Sequence, residues 1–227
     1  MQLLENIFWH SLVGPHALYS SGTATARRYV PGFSPFIGFA DNEQPDFAAL
    51  APYCEPDAHF YCGGWSGSVP SGWRIHADLT GYQMVWDGAA PAVDETLAAV
   101  QLGPEHVAQI LDLVALTNPG PFAARTIELG VFFGVFDAGR LIAMAGERTQ
   151  AGALREISGV CTHPDSQGRG LARRLVLKLI RIQKQRDQIP FLHVRRDNVT
   201  ACRAYERMGF RLHREVALRI VSRESGA

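Results

Sequence analysis

The clearest pattern of apolar and polar positions lies in the second half of the chain. Apolar residues recur at helical spacing from Val107 to Ala115, just after Gly103-Pro104, which suits the start of a helix. Asn118-Pro119-Gly120-Pro121 is a strong stop signal and predicts the end of that helix. The apolar run at residues 97–102 predicts a strand before it.

The next elements follow from similar patterns. Two apolar runs at residues 131–136 and 141–147 flank a turn at 137–140, which predicts a hairpin. A further strand is predicted over residues 153–162. An amphipathic helix then spans about residues 168–185, because Leu171, Leu175, Leu179 and Ile182 define one face.

The last elements are a short strand at 191–194, a helix from Asn198, and a strand at 210–221. Gly209 suits a left-handed cap at the end of that helix. The resulting order is strand, helix, hairpin, strand, helix, strand, helix, strand. This alternation predicts an α/β (α+β) domain over residues 96–227.

The first 95 residues have a weaker pattern and form a separate, smaller α/β region in our interpretation. It contains predicted helices at 3–12 and 45–50, strands at 36–40, 58–61 and 83–86, and a Gly/Ser-rich loop at 62–72. Residues 87–91 are the predicted boundary. No sequence repeat links the halves, but strand–helix–strand order in both leaves a degenerate half-repeat open.

Composition narrows the class of protein. The chain has 227 residues, 47% of them apolar, and a formal net charge of zero, so we expect a globular protein without general attraction to nucleic acid or membranes. The four cysteines form no CxxC pair, so we expect no metal. Cys54 and Cys62 could pair, but we favour reduced thiols. With no secretion signal or apolar span in view, we expect a cytoplasmic location.

The most specific motif is Gln167-Gly168-Arg169-Gly170-Leu171-Ala172, which opens the helix after the strand at 153–162. The N–H groups of a helix's first turn lack intrahelical partners, so they can bind a diphosphate. Glycines let the ligand approach the backbone. The alternative is an ordinary strand-to-helix turn.

A second motif lies downstream: Asn198, Tyr205 seven residues later, and the pair Gly209-Phe210. Together the two motifs resemble those of the GNAT superfamily of acyl-CoA-dependent N-acetyltransferases, over about residues 96–222. The resemblance implies a mixed central sheet flanked by helices, with one splayed, bulged strand. Residues 156–160 and 118–121 resemble more specifically the glycine N-acyltransferase-like subgroup.

The resemblance also implies where acetyl-CoA, the co-substrate, would bind. The diphosphate would lie against the backbone of Gln167 to Ala172, and the pantetheine arm beside Val160-Cys161-Thr162. Gly159 is a suitable position for the bulge that opens a slot for this arm. Asn198 would hold the arm, or simply cap its helix.

For catalysis the resemblance suggests Glu156 as the base that deprotonates the amine and Tyr205 as the acid for the departing thiolate. Strand parity places Glu156, Ser158 and Val160 on one face, before any bulge. Each role has an alternative. Glu156 could instead pair with Arg155 or another arginine, with a water chain as the base. Tyr205 could instead pack in the core near Phe210.

For three other groups of residues we favour a structural role. Cys161 is expected to be a small buried residue, turned away from Glu156, and not a nucleophile. For His163 and His193 we favour structural roles over substrate contact. Core packing is also favoured for the aromatic residues of the first half, with a lid over the acceptor as the alternative; these are Trp65, Trp73, Tyr82 and Trp86.

The sequence therefore predicts an acetyl-CoA-dependent N-acetyltransferase that acts by direct attack of a small-molecule amine or amino acid. Residues 1–95 would shape the acceptor site. Two alternatives stay open: a protein lysine or N-terminal acetyltransferase, and a non-catalytic acyl-CoA-binding module. Exposed strand edges leave a homodimer open as well.

Overall fold

The computed structural model describes residues 1–225, which form one mixed sheet of eleven strands with helices on both faces. The helices are α1 (Gln2–Glu5), α2 (Ile7–Val13), α3 (Phe47–Leu50), α4 (Val107–Thr117), α5 (Leu171–Gln185) and α6 (Val199–Met208). The strands are β1 (Ser20–Gly22), β2 (Ala26–Tyr29), β3 (Phe36–Phe39), β4 (Phe60–Gly63), β5 (Trp73–Trp86), β6 (Ala99–Gln101), β7 (Phe132–Asp137), β8 (Arg140–Ala151), β9 (Leu154–Thr162), β10 (Ile189–Arg195) and β11 (Phe210–Arg223).

The order of the strands across the sheet is β1-β2-β3-β4-β11-β5-β10-β9-β8-β7-β6. The two halves of the chain exchange strands at the centre, because β5 lies between β10 and β11 while β11 lies between β4 and β5. The predicted boundary at residues 87–91 therefore joins two segments of one sheet and does not separate two sheets.

The topology repeats between the halves. A parallel pair, β3 and β4, is connected through α3, just as the parallel pair β9 and β10 is connected through α5. Each pair is short, with two and three paired positions respectively. The degenerate half-repeat that the order of elements left open is thus visible in the arrangement of the strands.

The second half follows the predicted elements closely. Helix α4 ends at Asn118 with φ 46°, and α6 ends at Gly209 with φ 116°, both in the left-handed conformation. Helix α5 buries Leu175, Val176 and Leu179 against the sheet with no exposed area. Complete burial of such side chains stabilises the fold by about 1.5–3 kcal/mol each.

The first half departs further from the predictions. Strand β5 begins at Trp73 and not at residue 83, and its first part alternates between apolar and polar residues, a signal that the prediction missed. The hairpin of β1 and β2 was not predicted, because its sequence is polar and includes Arg28, a buried residue that pairs with Glu55.

The aromatic residues of the first half belong to the core. Trp65 and Trp73 are 2% and 6% exposed and pack against Phe47. Trp86 is 8% exposed and packs edge-on against Phe210. The lid interpretation of these three tryptophans is therefore wrong. Within residues 1–225, each helix is too short or too polar to cross a membrane.

Candidate active site

A V-shaped opening separates β9 from β10. The two strands pair only where Leu154–Glu156 lie beside residues 189–191. Beyond that point β9 continues along β8, and β10 continues along β5. The predicted splay of this strand is therefore present, and it begins directly after Glu156.

A bulge in β9 changes which side chains face each side of the sheet. The strand gains one residue on β8 between Ser158 and Cys161, around Gly159, whose φ is 61°. This confirms Gly159 as the bulge. After it, Val160 packs with Ile157 in the cluster under α5, whereas Cys161 packs in the cluster under α4.

The prediction that Glu156, Ser158 and Val160 lie on one face of the sheet is therefore wrong for Val160. The extra residue reverses the alternation, so Cys161 lies on the same side of the sheet as Glu156, contrary to expectation. Cys161 is 7% exposed, and burial raises its pKa to about 11, so the thiol stays protonated near neutral pH. It is the small buried residue that the sequence predicts.

The bulge also sets the direction of the backbone groups beside the V. The N–H of His163 donates to the carbonyl of Ile142 on β8, at 2.7 Å. Because strand N–H groups alternate in direction, those of Val160 and Thr162 face the V, and that of Cys161 faces β8. Two of the three residues predicted to line the pantetheine arm therefore present an N–H toward it.

The motif turn presents its backbone to open space. Gly168 and Gly170 have φ of 75° and 70°, and a Cβ on either would meet no atom within 4 Å. Glycine is needed there for its conformation, since left-handed backbone is costly for other residues. The first helical hydrogen bond joins the Arg174 N–H to the Gly170 carbonyl at 3.0 Å.

Six consecutive N–H groups, from Gly168 to Arg173, consequently find no acceptor within residues 1–225. They lie at the positive end of the α5 dipole, and residues 168–170 are exposed. This turn, which we call the N–H turn, fits a diphosphate by its donors and its open space. Leu171 anchors it, because its side chain is buried under α5.

The arginines around the N–H turn differ in their partners. Arg169 lies 3.3 Å from Asp137, and both side chains are more than half exposed. Arg174 binds Asp94 through two hydrogen bonds of 2.6 and 3.0 Å. Within residues 1–225, Arg173 forms no ion pair, so it is the arginine free to meet a phosphate.

A row of polar side chains crosses the sheet where β9 and β10 separate. Arg148 on β8 donates to Glu156 on β9 at 2.8 and 3.1 Å. Glu156 Oε1 lies 2.8 Å from Nδ1 of His193 on β10, whose Nε2 lies 3.1 Å from Nε2 of Gln83 on β5. Gln83 Oε1 accepts from Arg214 on β11 at 3.0 Å. Five adjacent strands thus contribute to one polar row.

The hydrogen bonds of Gln83 assign the protonation of His193. The Gln83 Oε1 accepts from Arg214, and its Nε2 donates to the Leu4 carbonyl at 3.0 Å. Its second N–H therefore points to His193 Nε2, which accepts, so the proton lies on Nδ1 and is donated to Glu156. Both ring nitrogens of His193 are occupied, which gives it the structural role that the sequence favours.

Glu156 is fully buried and accepts five hydrogen bonds, since Thr149 adds its N–H at 3.2 Å and its hydroxyl at 2.7 Å. Burial alone would raise its pKa, but the Arg148 charge and the His193 hydrogen bond outweigh this and hold the pKa well below its usual range. The alternative of an arginine partner is confirmed, with Arg148 in place of Arg155. The role of Glu156 as base stays a prediction, and these contacts weigh against it.

The sequence prediction did not include Arg148, Thr149 or Gln83. A signal was present: the polar run Glu147-Arg148-Thr149-Gln150 begins at the last residue of the predicted strand at 141–147. Consecutive polar residues in a central strand of a sheet need partners on neighbouring strands. Gln83 gave no such signal, because its partners come from distant segments.

Tyr205 and Asn198 both belong to α6. Tyr205 packs against the buried cluster under α5 and edge-on against Phe210, with ring centroids 5.7 Å apart. Burial raises its pKa above the usual value for tyrosine, so the hydroxyl stays protonated. Asn198 Oδ1 accepts from the Ala201 N–H at 3.1 Å, which confirms its capping role. Its role toward the CoA arm stays a prediction.

Comparison with known proteins agrees with this geometry. The model of the FR47-like protein family matches residues 132–220. A solved structure from Novosphingobium aromaticivorans, described as an acetyltransferase from the GNAT family, is 35% identical over 98% of this chain and 99% of its own, with a TM-score of 0.88. No curated protein matches the chain.

More distant structures share the fold. A GCN5-related N-acetyltransferase from Kribbella flavida is 14% identical, covers 97% of this chain and 95% of its own, and has a TM-score of 0.62. A GCN5-related N-acetyltransferase-like protein from Streptococcus suis is 17% identical, with coverages of 94% and 92% and a TM-score of 0.60.

The chain belongs to the GNAT family of acetyltransferases. Members of this family take the acetyl group from acetyl-CoA.

Proposed function

We propose that this protein transfers an acetyl group from acetyl-CoA to the primary amine of a small molecule or amino acid. The N–H turn at the end of the β9–β10 opening carries the proposal, because it offers six free donors in a row. A diphosphate on these donors leaves the pantetheine arm to enter the V beside Val160 and Thr162. The thioester then lies between β9 and α6.

In the proposed reaction the amine attacks the thioester directly. A nitrogen–carbon bond forms, and the carbon–sulfur bond breaks. The N–H of Val160, which faces the V, stabilises the oxyanion, a contribution of about 2.7–4 kcal/mol for one such donor in other enzymes. Tyr205 donates its proton to the departing sulfur, which is chemically consistent with a hydroxyl that burial keeps protonated.

We propose that the amine loses its proton to water and not to Glu156. Glu156 already accepts five hydrogen bonds, and His193 Nε2 accepts from Gln83. These hydrogen bonds leave neither group a free lone pair for a substrate proton. In this proposal Glu156 and His193 position the strands at the base of the V.

Residues 1–95 are proposed to form one wall of the acceptor site. Phe8 of α2 stacks on His193, with ring centroids 5.4 Å apart, and Phe36 of β3 stacks on Phe8 at 4.6 Å. Both phenylalanines are buried, at 5% and 2% exposed, so they hold the first half against the base of the V and do not themselves face an acceptor. The preference for a small acceptor rests on the resemblance to glycine N-acyltransferases. The four cysteines are free and buried, which agrees with a cytoplasmic location.

Calorimetry with acetyl-CoA tests the proposal, with Gly168→Asp and Gly168→Asn as a matched pair. Both side chains tolerate left-handed backbone, and the space beside Gly168 is open. The aspartate adds a negative charge beside the diphosphate, so we expect it to weaken binding about tenfold more than the asparagine does. Equal binding by the two variants would place the diphosphate elsewhere.

A thiol-release screen identifies the acceptor. It uses amino acids, polyamines, aminoglycosides and lysine peptides with acetyl-CoA, and Tyr205→Phe as the control for turnover at this site. Release with small amines supports the proposal. Release with peptides alone would favour the protein acetyltransferase, and binding without release for every acceptor would favour the non-catalytic module.

A further inference from the structure

A pocket of about 350 Å³ opens beside the end of α5, opposite to the N–H turn. Strand β7 begins at Phe132, beside Gly146 of β8, so the last residues of β8 have no strand on that side and line the pocket. Small-molecule sites span about 300–1,000 Å³, so the pocket has room for a small metabolite. The 15 residues of α5, at about 1.5 Å each, separate it from the N–H turn by about 20 Å.

A buried carboxylate forms part of the wall of this pocket. Glu147 is 6% exposed and forms no ion pair within residues 1–225. Its Oε1 accepts from Gln183 Nε2 at 2.9 Å, and its Oε2 lies 3.4 Å from the Val131 N–H, a long and weak contact. Gln183 is fully buried, and its own Oε1 finds no donor in that part of the chain. Because buried carboxylates are normally paired, Glu147 is suited to accept from a cationic group of a ligand.

Two arginines line the same pocket. Arg155 donates to two backbone carbonyls at 2.9 and 3.1 Å, and Arg186 is exposed. Neither arginine forms an ion pair in the part of the chain that the structure describes. Burial lowers the pKa of Arg155, the Glu147 charge raises it, and the Arg186 charge lowers it again. The three charges are therefore close enough to act on one another.

The charges of the lining define the chemistry of a ligand. The other charged groups there, Glu128 and Arg148, have ion-pair partners of their own. The pocket is left with one anion and two cations that nothing compensates. An amino acid with an acidic side chain carries the complementary set, one ammonium and two carboxylates. We propose that the pocket binds such an amino acid, with its ammonium on Glu147 and its carboxylates on Arg155 and Arg186.

The pocket is separate from the V. Glu147 pairs across the strands with Ile157, whose side chain lies under α5, and it contacts Gln183 of that helix. Glu156, at the base of the V, lies on the opposite side of the sheet. An amino acid in the pocket is therefore not positioned to receive the acetyl group. It is a second ligand, in addition to the acceptor.

The test measures the dissociation constants of L-glutamate and glutarate by calorimetry, without acetyl-CoA. Glutarate keeps both carboxylates and lacks the ammonium. For the native protein we expect L-glutamate to bind about tenfold more tightly, because its ammonium forms a charge-assisted hydrogen bond with Glu147. Glu147→Gln keeps an oxygen for Gln183 but has no charge, so this variant should bind the two ligands alike.

A second variant removes the cations of the pocket. Arg155→Gln/Arg186→Gln should weaken the binding of both ligands about tenfold or more, since each carboxylate loses a charged partner. Arg181→Gln is the control, because Arg181 lies on α5 outside the pocket. It removes a positive charge as well, yet it should bind both ligands as the native protein does.

Each outcome has one meaning. If L-glutamate fails to bind the native protein at millimolar concentration, or binds no more tightly than glutarate, the pocket proposal is overturned and the proposed acetyl transfer is unaffected. A preference for L-glutamate that survives in Glu147→Gln also overturns it, because the amino acid then binds elsewhere, such as in the V as an acceptor. If the melting curve shows that Glu147→Gln is unfolded, the arginine variant and its control decide the question.

Discussion

Glu156→Gln tests whether the polar row stabilises the protein or supplies the catalytic base. The substitution keeps the size of the side chain but removes the negative charge. Arg148, whose side chain is 10% exposed, then keeps a buried positive charge with no anion beside it. Breaking a buried ion pair in this way costs about 3–5 kcal/mol. That is a large part of the roughly 5–15 kcal/mol that stabilises a typical protein.

The matched control is Glu128→Gln. Glu128 pairs with Arg125 at 2.8 Å on the surface, with both side chains at least 40% exposed. Removal of a surface ion pair costs about 0–1 kcal/mol. Urea denaturation at pH 7 should therefore separate the two variants by several kcal/mol. An Arg148→Met/Glu156→Gln double variant should be less destabilised than the sum of its single variants, by about 0.5–3 kcal/mol.

The pH dependence of the free energy of unfolding tests the same ion pair. The pKa of Glu156 is lower in the folded protein than its unfolded value of 4.5. The stability from this group is therefore fully present above about pH 4.5 and declines as pH falls toward the folded pKa. The gap between native protein and Glu156→Gln should be constant from pH 6 to 8 and shrink below about 4.5.

One result would refute this reasoning. If Glu156→Gln unfolds at nearly the same urea concentration as Glu128→Gln, the row contributes little stability. If kcat also falls about 10²–10⁴-fold, Glu156 acts as the general base after all.

Three further predictions concern catalysis. Tyr205→Phe should lower kcat and leave acetyl-CoA affinity in calorimetry nearly unchanged; an unchanged kcat would remove Tyr205 as the acid. Gly159→Ala should lower the free energy of unfolding, measured with urea, by about 1–2 kcal/mol, because φ is 61° and the added Cβ lies 3.2 Å from Phe132. It should also reduce acetyl-CoA binding. A fully active, equally stable variant would show that the bulge is unimportant. The acidic limb of kcat/KM should follow the pKa of the acceptor amine across a series of amines; a limb that stays at one pH for every amine would indicate a base on the enzyme.

Much of the second half could be predicted from local sequence. Apolar spacing located α5, Asn118 and Gly209 ended their helices, and Gly159 marked the bulge. These features depend on neighbouring residues and on backbone conformations that glycine and asparagine adopt readily. The N–H turn could be predicted for the same reason, since its donors belong to consecutive residues.

The site beyond that turn depended on contacts between distant segments. The charge of Glu156 is held by Arg148 of a neighbouring strand and by His193, which is itself fixed by Gln83 of the first half. The face of Val160 depended on one extra residue in β9, because each added residue reverses the alternation of a strand. Local spacing cannot show either effect.

The sequence by itself determined the elements of the second half, the N–H turn and the family to which they point. Only the tertiary structure decided that the two halves exchange strands, that β5 supplies Gln83 to the polar row, and that Glu147, Arg155 and Arg186 line one pocket. Those features join residues far apart in the chain, and the physical reason is that sheet pairing and burial act between segments, whereas spacing and turn signals act within them.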